Sequence, residues 1–469
     1  MKNIIFIFPL LFIFELIFGV SGTMIMVGGV AIRHILFILT FISLYGYTLY
    51  YLIANRIKFF SIEKGSFFSS FNWIDIFAVI FELSMLLSMT IIPYIKGTNL
   101  HYAYSEVFDS AAIFSLYFAI SYLIKEKQID MRKLLSYLKI CIFLFAVEHL
   151  VLYFGQEGNE HFIENFFSTF AELVGGNGII QKVVLGHGGY TRVMFNTSIY
   201  LLIGFYIFFY QFKQNRWYDY IAFAVELMAL ISTVTKSIWF GFGIAFFVIS
   251  ITFFIYGLKE NKNIAVKAVV MMILTGVFII GADRLIFGDI VSVRMSNAFI
   301  TEDNESGDVE NESMVDKSSK KKKAAKLDRE GAAESNSIKI EQMGRLLEKW
   351  KNSPIVGYGY GSFVEGYTRS DEAPFSYEMQ FFALLMKIGV GGMAIWVLFF
   401  IFQFIEMAKI KSCDAIHVFA WLFLLAAIVI CVQTNPLLIS FTGMSVILFL
   451  SVMTVNECHV GMGELTRGD

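Results

Sequence analysis

The sequence predicts an all-α protein, a polytopic bundle of about twelve membrane-spanning helices with two long loops on one side. Three observations predict it. Of 469 residues, 57% are hydrophobic and only 16% charged, whereas soluble domains carry about 25% charged residues. Mean hydropathy is +0.65, so the bilayer is the solvent for most of the chain. Apolar runs recur at the length of a span, and Lys and Arg alternate between the two sides of those runs.

The runs lie near 4–20, 34–54, 72–94, 106–124, 134–154, 193–212, 217–234, 237–257, 264–285, 376–406, 415–432 and 435–455. Each approaches the roughly 20 apolar residues that a helix needs to cross hydrocarbon. The first run resembles a secretory signal. Its apolar core is long, it contains Glu15, and no small-residue cleavage site clearly follows, so it reads as the first span. With the N-terminus inside, the short inner loops hold Arg56, Lys58 and Lys64, then Lys125, Lys127, Arg132 and Lys133. Later inner loops hold Lys213 and Arg216, then Lys259, Lys262 and Lys267, then Lys409 and Lys411. The short outer loops hold little beyond Arg33 and Lys96. This bias favours an even number of spans with both termini in the cytoplasm.

The chain reads as one integral membrane domain, 1–469, with long outer loops at 155–192 and 286–375. The second loop contains a low-complexity stretch, 301–333, first acidic (TEDNESGDVENE) and then basic (KSSKKKKAAK). Such charge blocks read as solvated tracts. No 20–50-residue repeat and no inverted repeat of the transporter kind is evident.

Composition also excludes functions. A net charge of −2, with no basic patch interleaved with stacking aromatics, gives no footprint for nucleic acid. Cys141, Cys413, Cys431 and Cys458 lie in apolar runs or inner segments and are expected to be reduced. No zinc, P-loop or dinucleotide spacing is present, and neither a metal nor a cofactor is expected.

The most informative stretch closes the second loop, from Ser337 to Gly392. Ile340, Met343, Leu346, Leu347 and Trp350 fall on one helical stripe, with Gln342, Arg345 and Lys349 beside it and Lys339 at its border. Pro354 ends this amphipathic helix. Gly357, Gly359 and Gly361 then form an elbow whose backbone is free to approach a ligand closely.

Cations on the outer side are the first candidates for chemistry. Arg192 closes the first long loop, Lys236 sits in a short turn, Arg294 follows a span, and Lys339 and Arg345 lie on the amphipathic helix. Singly, each reads as well as an interfacial residue snorkelling to head groups. As a set they suit an anionic ligand, because guanidinium groups bind phosphate bidentately and lysine supplies a point charge.

Glu378, just after Ser376 and Tyr377 at the start of a span, is the candidate general base; a helix N-terminal carboxylate is the equally weighted plain reading. Asp371, Glu372 and the loop residue His187 are runners-up. Glu15, Asp75, Glu82, Asp109, Glu148, Glu226 and Lys387 lie within spans, where polar packing outweighs a proton path suggested by Glu148 beside His149.

Together these residues resemble the O-antigen polymerase and ligase superfamily. The phrase Lys339-x2-Gln342-x7-Trp350-x3-Pro354-x2-Gly357-x-Gly359-x-Gly361 resembles its signature, followed by a span carrying Lys387-Ile-Gly389-x-Gly391. Arg192-Val-Met-Phe-Asn-Thr resembles the family's arginine-led return to the membrane, and Thr235-Lys236-Ser237 stands where the family usually has Ser-Arg. The motifs span about 180–395, and the topology agrees over the whole chain.

The resemblance implies a metal-independent, inverting glycosyltransferase of the bacterial inner membrane. It would use undecaprenyl-diphosphate-linked oligosaccharides on the periplasmic face, with a chain-length-regulating co-polymerase as partner. It also implies that Arg192, Lys236 and Lys339 or Arg345 bind the diphosphate. Ligases of the family carry a His-Asn pair where this chain has Ser376-Tyr377-Glu378, which favours polymerase over ligase. A lipid-linked oligosaccharide flippase is the rival from another class.

Overall fold

The computed structural model describes residues 6–19, 25–57, 67–158, 169, 192–212, 214–260, 262–296, 336–368, 371–409, 415–432 and 437–465. The low-complexity stretch 301–333, most of the first long loop with His187, and Cys413 lie outside the described residues.

Among the described residues, eight helices are long and apolar enough to cross a membrane: Ile32–Ala54, Trp73–Lys96, Leu100–Lys125, Met131–Gly155, Lys236–Lys259, Lys262–Leu285, Gln380–Lys409 and Phe441–His459. The chain is a multi-pass, all-α membrane protein. At the other expected positions the helices are shorter, Ile7–Phe18, Asn196–Tyr210, Trp217–Ser232 and His417–Val432. The Asn196 segment opens as a 3-10 turn before becoming α-helical at Leu201.

Local chemistry sets several boundaries. Asn72 and Asp75 form a reciprocal capping box at the start of the Trp73 helix, the Asn72 side chain accepting from Asp75 N at 3.0 Å and Asp75 from Asn72 N at 2.8 Å. Asn99 caps the Leu100 helix by accepting from His101 N at 2.9 Å. A two-residue turn at Gly28 and Gly29, φ 59° and 81°, closes a small hairpin pairing Met26–Val27 with Val30–Ala31.

The Lys236–Glu260 helix packs against Ala415–Val432 and Lys262–Leu285, and Leu100–Lys125 packs against Phe441–Leu465. Gln380–Lys409 lies on Trp73–Met89, where Phe81 stacks on Phe399 at 4.7 Å and meets Phe114 and Trp396. Since lipid is as apolar as these side chains, packing rather than water exclusion holds such contacts.

Several span charges are absorbed by packing. Arg33 Nε donates to Glu15 Oε2 at 2.7 Å, with both residues buried. Asp75 accepts from Tyr117 Oη at 2.9 Å and Ser121 Oγ at 2.8 Å, and pairs with Lys125. Asp109 lies 3.7 Å from His34. Glu226 is buried over Gly204, and Lys387 pairs with Glu106. Glu82 and Glu148 each keep one buried carboxyl oxygen with no hydrogen-bond partner. Cys141, Cys431 and Cys458 are buried in the core.

Candidate active site

The candidate residues fall into two groups. The first forms where the chain enters the bundle after the first long loop. Here Val193 N donates to Ser232 O at 3.0 Å. Phe195 N donates to Ser198 Oγ at 3.0 Å, and His149 Nε2 lies 2.9 Å from the same oxygen, so the segment is held from two sides. This fixes Arg192, whose Nε donates to Thr233 O and whose terminal nitrogen donates to Thr235 Oγ1, each at 3.1 Å. Arg294, on a short helix Ile290–Ser296, donates to Val234 O at 3.2 Å.

Two guanidinium groups thus converge on one turn, 233–235, and the next residue, Lys236, opens a 25-residue helix. Val234 sits at φ 46°, a left-handed conformation that is strained for a β-branched residue. Burial and the neighbouring Arg294 charge lower the Arg192 pKa to about 10. Two like charges beside a helix N-terminus make an electropositive locus, the arrangement that favours an anion.

The second group is built on the helix at 336–351. Leu346 enters a small apolar cluster with Tyr377, Ala383 and Met386. Leu346 is buried and Met343, Leu347 and Trp350 are half-buried, as the expected stripe has them, but its first member is not. Gln342 is buried while Ile340 is 65% exposed, because the Gln342 side chain accepts from Met379 N at 2.8 Å. That bond docks the helix on the segment preceding Gln380. It brings Lys339 Nζ to 3.8 Å from Glu378 Oε2, so a predicted cation and the predicted base are neighbours.

Arg345 points elsewhere. It lies 3.5 Å from Glu341 and 6.0 Å from the Tyr367 ring centroid. Tyr377 is buried, its hydroxyl accepting from Val364 N at 2.7 Å, and burial pushes its pKa up to about 12. It fixes the loop next to Glu378 and is a poor proton acceptor from a ligand. Lys349, its pKa lowered by burial, donates to Phe363 O and lies 5.1 Å from the Tyr358 ring centroid.

The glycine elbow approaches protein rather than open space. Gly357, Gly359 and Gly361 have φ of 70°, 83° and 76°. A Cβ on Gly357 would lie 2.3 Å from Lys387 O, one on Gly359 2.4 Å from Pro93 Cγ, and one on Gly361 2.3 Å from Ala103 N. The space that the sequence reading reserved for a ligand is here filled by neighbouring helices.

The elbow also completes a broken helix. Gln380–Lys409 is interrupted at Gly389, φ 63° and ψ −175°. Tyr358 N and Gly359 N donate to Met386 O and Lys387 O at 3.1 and 2.7 Å, while Val390 N and Gly391 N donate to Pro354 O and Ile355 O, each at 2.9 Å. Peptide groups freed by the break are thus satisfied, as an apolar surrounding demands.

Glu106 escaped the sequence reading. One carboxylate oxygen accepts from Gly361 N at 2.6 Å and the other pairs with Lys387, which also donates to Phe375 O at 2.7 Å. The Leu100 helix starts six residues before the apolar run at 106, and this places Glu106 inside the bundle rather than at its edge.

Among the described residues no cluster of three or more metal-ligating side chains is present. No protein-family profile matches the chain, and no curated protein or solved structure shows significant similarity to it.

Proposed function

We propose that this protein is a polysaccharide polymerase of about twelve spans, with both termini in the cytoplasm of a bacterial inner membrane. It transfers a growing undecaprenyl-diphosphate-linked glycan onto the terminal sugar of the next lipid-linked repeat unit on the outer face. The observation that supports this reading most is the convergence of Arg192 and Arg294 on the turn before Lys236, which suits a diphosphate leaving group.

In the proposed step the acceptor hydroxyl attacks the anomeric carbon of the donor chain. Glu378 takes the hydroxyl proton, the new glycosidic bond forms, and the anomeric carbon–phosphate oxygen bond breaks with inversion. The bonding electrons leave on the lipid diphosphate, whose charge Arg192, Arg294 and Lys236 stabilise. Lys339, 3.8 Å from Glu378, orients the carboxylate and must release it as acceptor binds.

A transporter of lipid-linked oligosaccharide is the second reading, favoured by one observation. The break at Gly389 makes a discontinuous helix, a device of transporter binding sites. Against it, the freed backbone is bonded to the elbow instead of facing a cavity.

The test is purified protein in bilayer discs with a lipid-diphosphate-linked repeat unit and no added metal, products resolved on a gel. A ladder from the wild type that is lost in Arg192→Ala supports polymerisation and the diphosphate role. No ladder, together with passage of the same lipid across vesicles containing the protein, overturns it in favour of transport. Transfer to a lipid A–core acceptor without a ladder identifies a ligase.

A further inference from the structure

A cavity elsewhere in the bundle shares no residue with either group above. It lies between the Ile32–Ala54, Trp73–Met89 and Leu100–Lys125 helices and the turn at 67–71. Its volume is about 740 Å³, within the range of about 300–1,000 Å³ typical of small-molecule sites. Six rings line it, those of Phe41, Tyr45, Phe67, Phe68, Phe71 and Phe118. On its rim Ile42, Leu49 and Leu83 are exposed, so a molecule dissolved in hydrocarbon can reach it.

Polar groups in the lining are almost all satisfied. Tyr45 Oη donates to Ser115 O at 2.5 Å, and Thr48 Oγ1 donates to Leu44 O at 2.8 Å. Glu82 is different. It lines the cavity, is 9% exposed, and its Oε2 has no hydrogen-bond partner. No Lys, Arg or His is among the described lining residues. An ionisable group among apolar helices is costly; Glu15 and Asp75 meet a cation within the fold, whereas no described lining residue supplies one to Glu82. Aromatic faces attract the same kind of partner, because their quadrupoles favour cations, above all delocalised or quaternary ones. A plain hydrocarbon chain would fill the volume and leave the carboxyl unanswered.

We propose that this cavity binds a lipophilic organic cation, its charge set against Glu82 and its apolar groups against the surrounding rings. The ligand enters from the bilayer, and charge complementarity with one carboxylate selects it over neutral lipid.

The experiment uses the full chain in bilayer discs and measures binding of tetraphenylphosphonium, with triphenylphosphine oxide as the uncharged counterpart. Wild type is expected to bind the cation saturably and the neutral oxide far more weakly. Glu82→Gln keeps the shape and removes the charge; affinity is expected to fall about thirty-fold or more, as for loss of one partner of a desolvated pair. Gly46→Leu is an independent probe. Gly46 lines the cavity and a Cβ there meets nothing within 4 Å, so leucine occupies the ligand's space while raising helix propensity. It is expected to abolish cation binding with the melting temperature unchanged or higher. Failure of wild type to saturate, equal binding of the neutral oxide, or wild-type affinity in both variants would each overturn the proposal.

Discussion

Lys387 and Glu106 form an ion pair in the interior of the bundle, with side chains 1% and 8% exposed. The pair joins two helices and, through Gly361 N and Phe375 O, ties the tail of the second long loop to both. A desolvated pair is costly to break from one side, because the remaining charge is left buried.

Lys387→Met is therefore expected to cost about 3–5 kcal/mol, and Glu106→Ala a similar amount, while the double variant recovers a large part of the sum. Thermal unfolding of the four proteins in detergent checks this. Additive losses in the double variant would show that the two residues are not coupled.

Glycine substitutions separate the elbow from the helix before it. Gly357→Ala places a Cβ 2.3 Å from Lys387 O at a φ of 70°, and is expected to unfold the elbow or lower expression sharply. Gly344→Ala lies on the 336–351 helix with nothing within 4 Å of the new Cβ, and is expected to stabilise by up to about 1 kcal/mol. Limited proteolysis of the segment that precedes the Gln380 helix, compared between the two variants, reads the difference.

Lys339 and Glu378 are each about a quarter exposed at 3.8 Å, a geometry that contributes little stability. Glu378→Gln is expected to leave the melting temperature within a degree or two while lowering turnover about a hundredfold or more, as removal of a general base does. Lys339→Met should affect turnover less than Glu378→Gln. Wild-type turnover in Glu378→Gln would move the base to Asp371 or His187.

Arg192 offers a pH argument. Its folded value of about 10 is below the ordinary 12.5, so between those values the unfolded chain holds the proton that the folded chain has lost. Stability at this site accordingly rises with pH across that window, and at neutral pH the cost of the half-buried, like-charged pair is fully present. An anion offsets that cost. Pyrophosphate is expected to raise the wild-type melting temperature at pH 7, by less at high salt, and to have no effect on an Arg192→Ala, Arg294→Ala double variant.

Much of the bundle was legible because a span is a length and a composition. The run at 264–285 became the helix Lys262–Leu285, and the start at 72 became a helix capped by Asn72. What the sequence could not give was which groups meet. Arg192, Arg294 and the turn before Lys236 lie about 40 to 100 positions apart in the chain, and only the path of the bundle brings them together. The amphipathic stripe holds at Leu346 and Trp350 and departs only at Ile340, where the helix instead buries Gln342 through its bond from Met379 N. The elbow's glycines were legible as a demand for close approach, yet nothing in their spacing distinguishes a ligand from Lys387 and Pro93.

The break at Gly389 bears on how the chain assembles. A helix whose free peptide groups are satisfied by Val390 with Pro354, and by Lys387 with Gly359, is not finished when its own residues have coiled. It is finished only once an upstream segment has folded back against it. In the proposed orientation that makes the Gln380 helix a late-maturing element, whose completion depends on delivery of the loop to the far side. Replacing that loop with a flexible linker would then leave a span with open hydrogen bonds in hydrocarbon, a defect in insertion before it is a defect in activity.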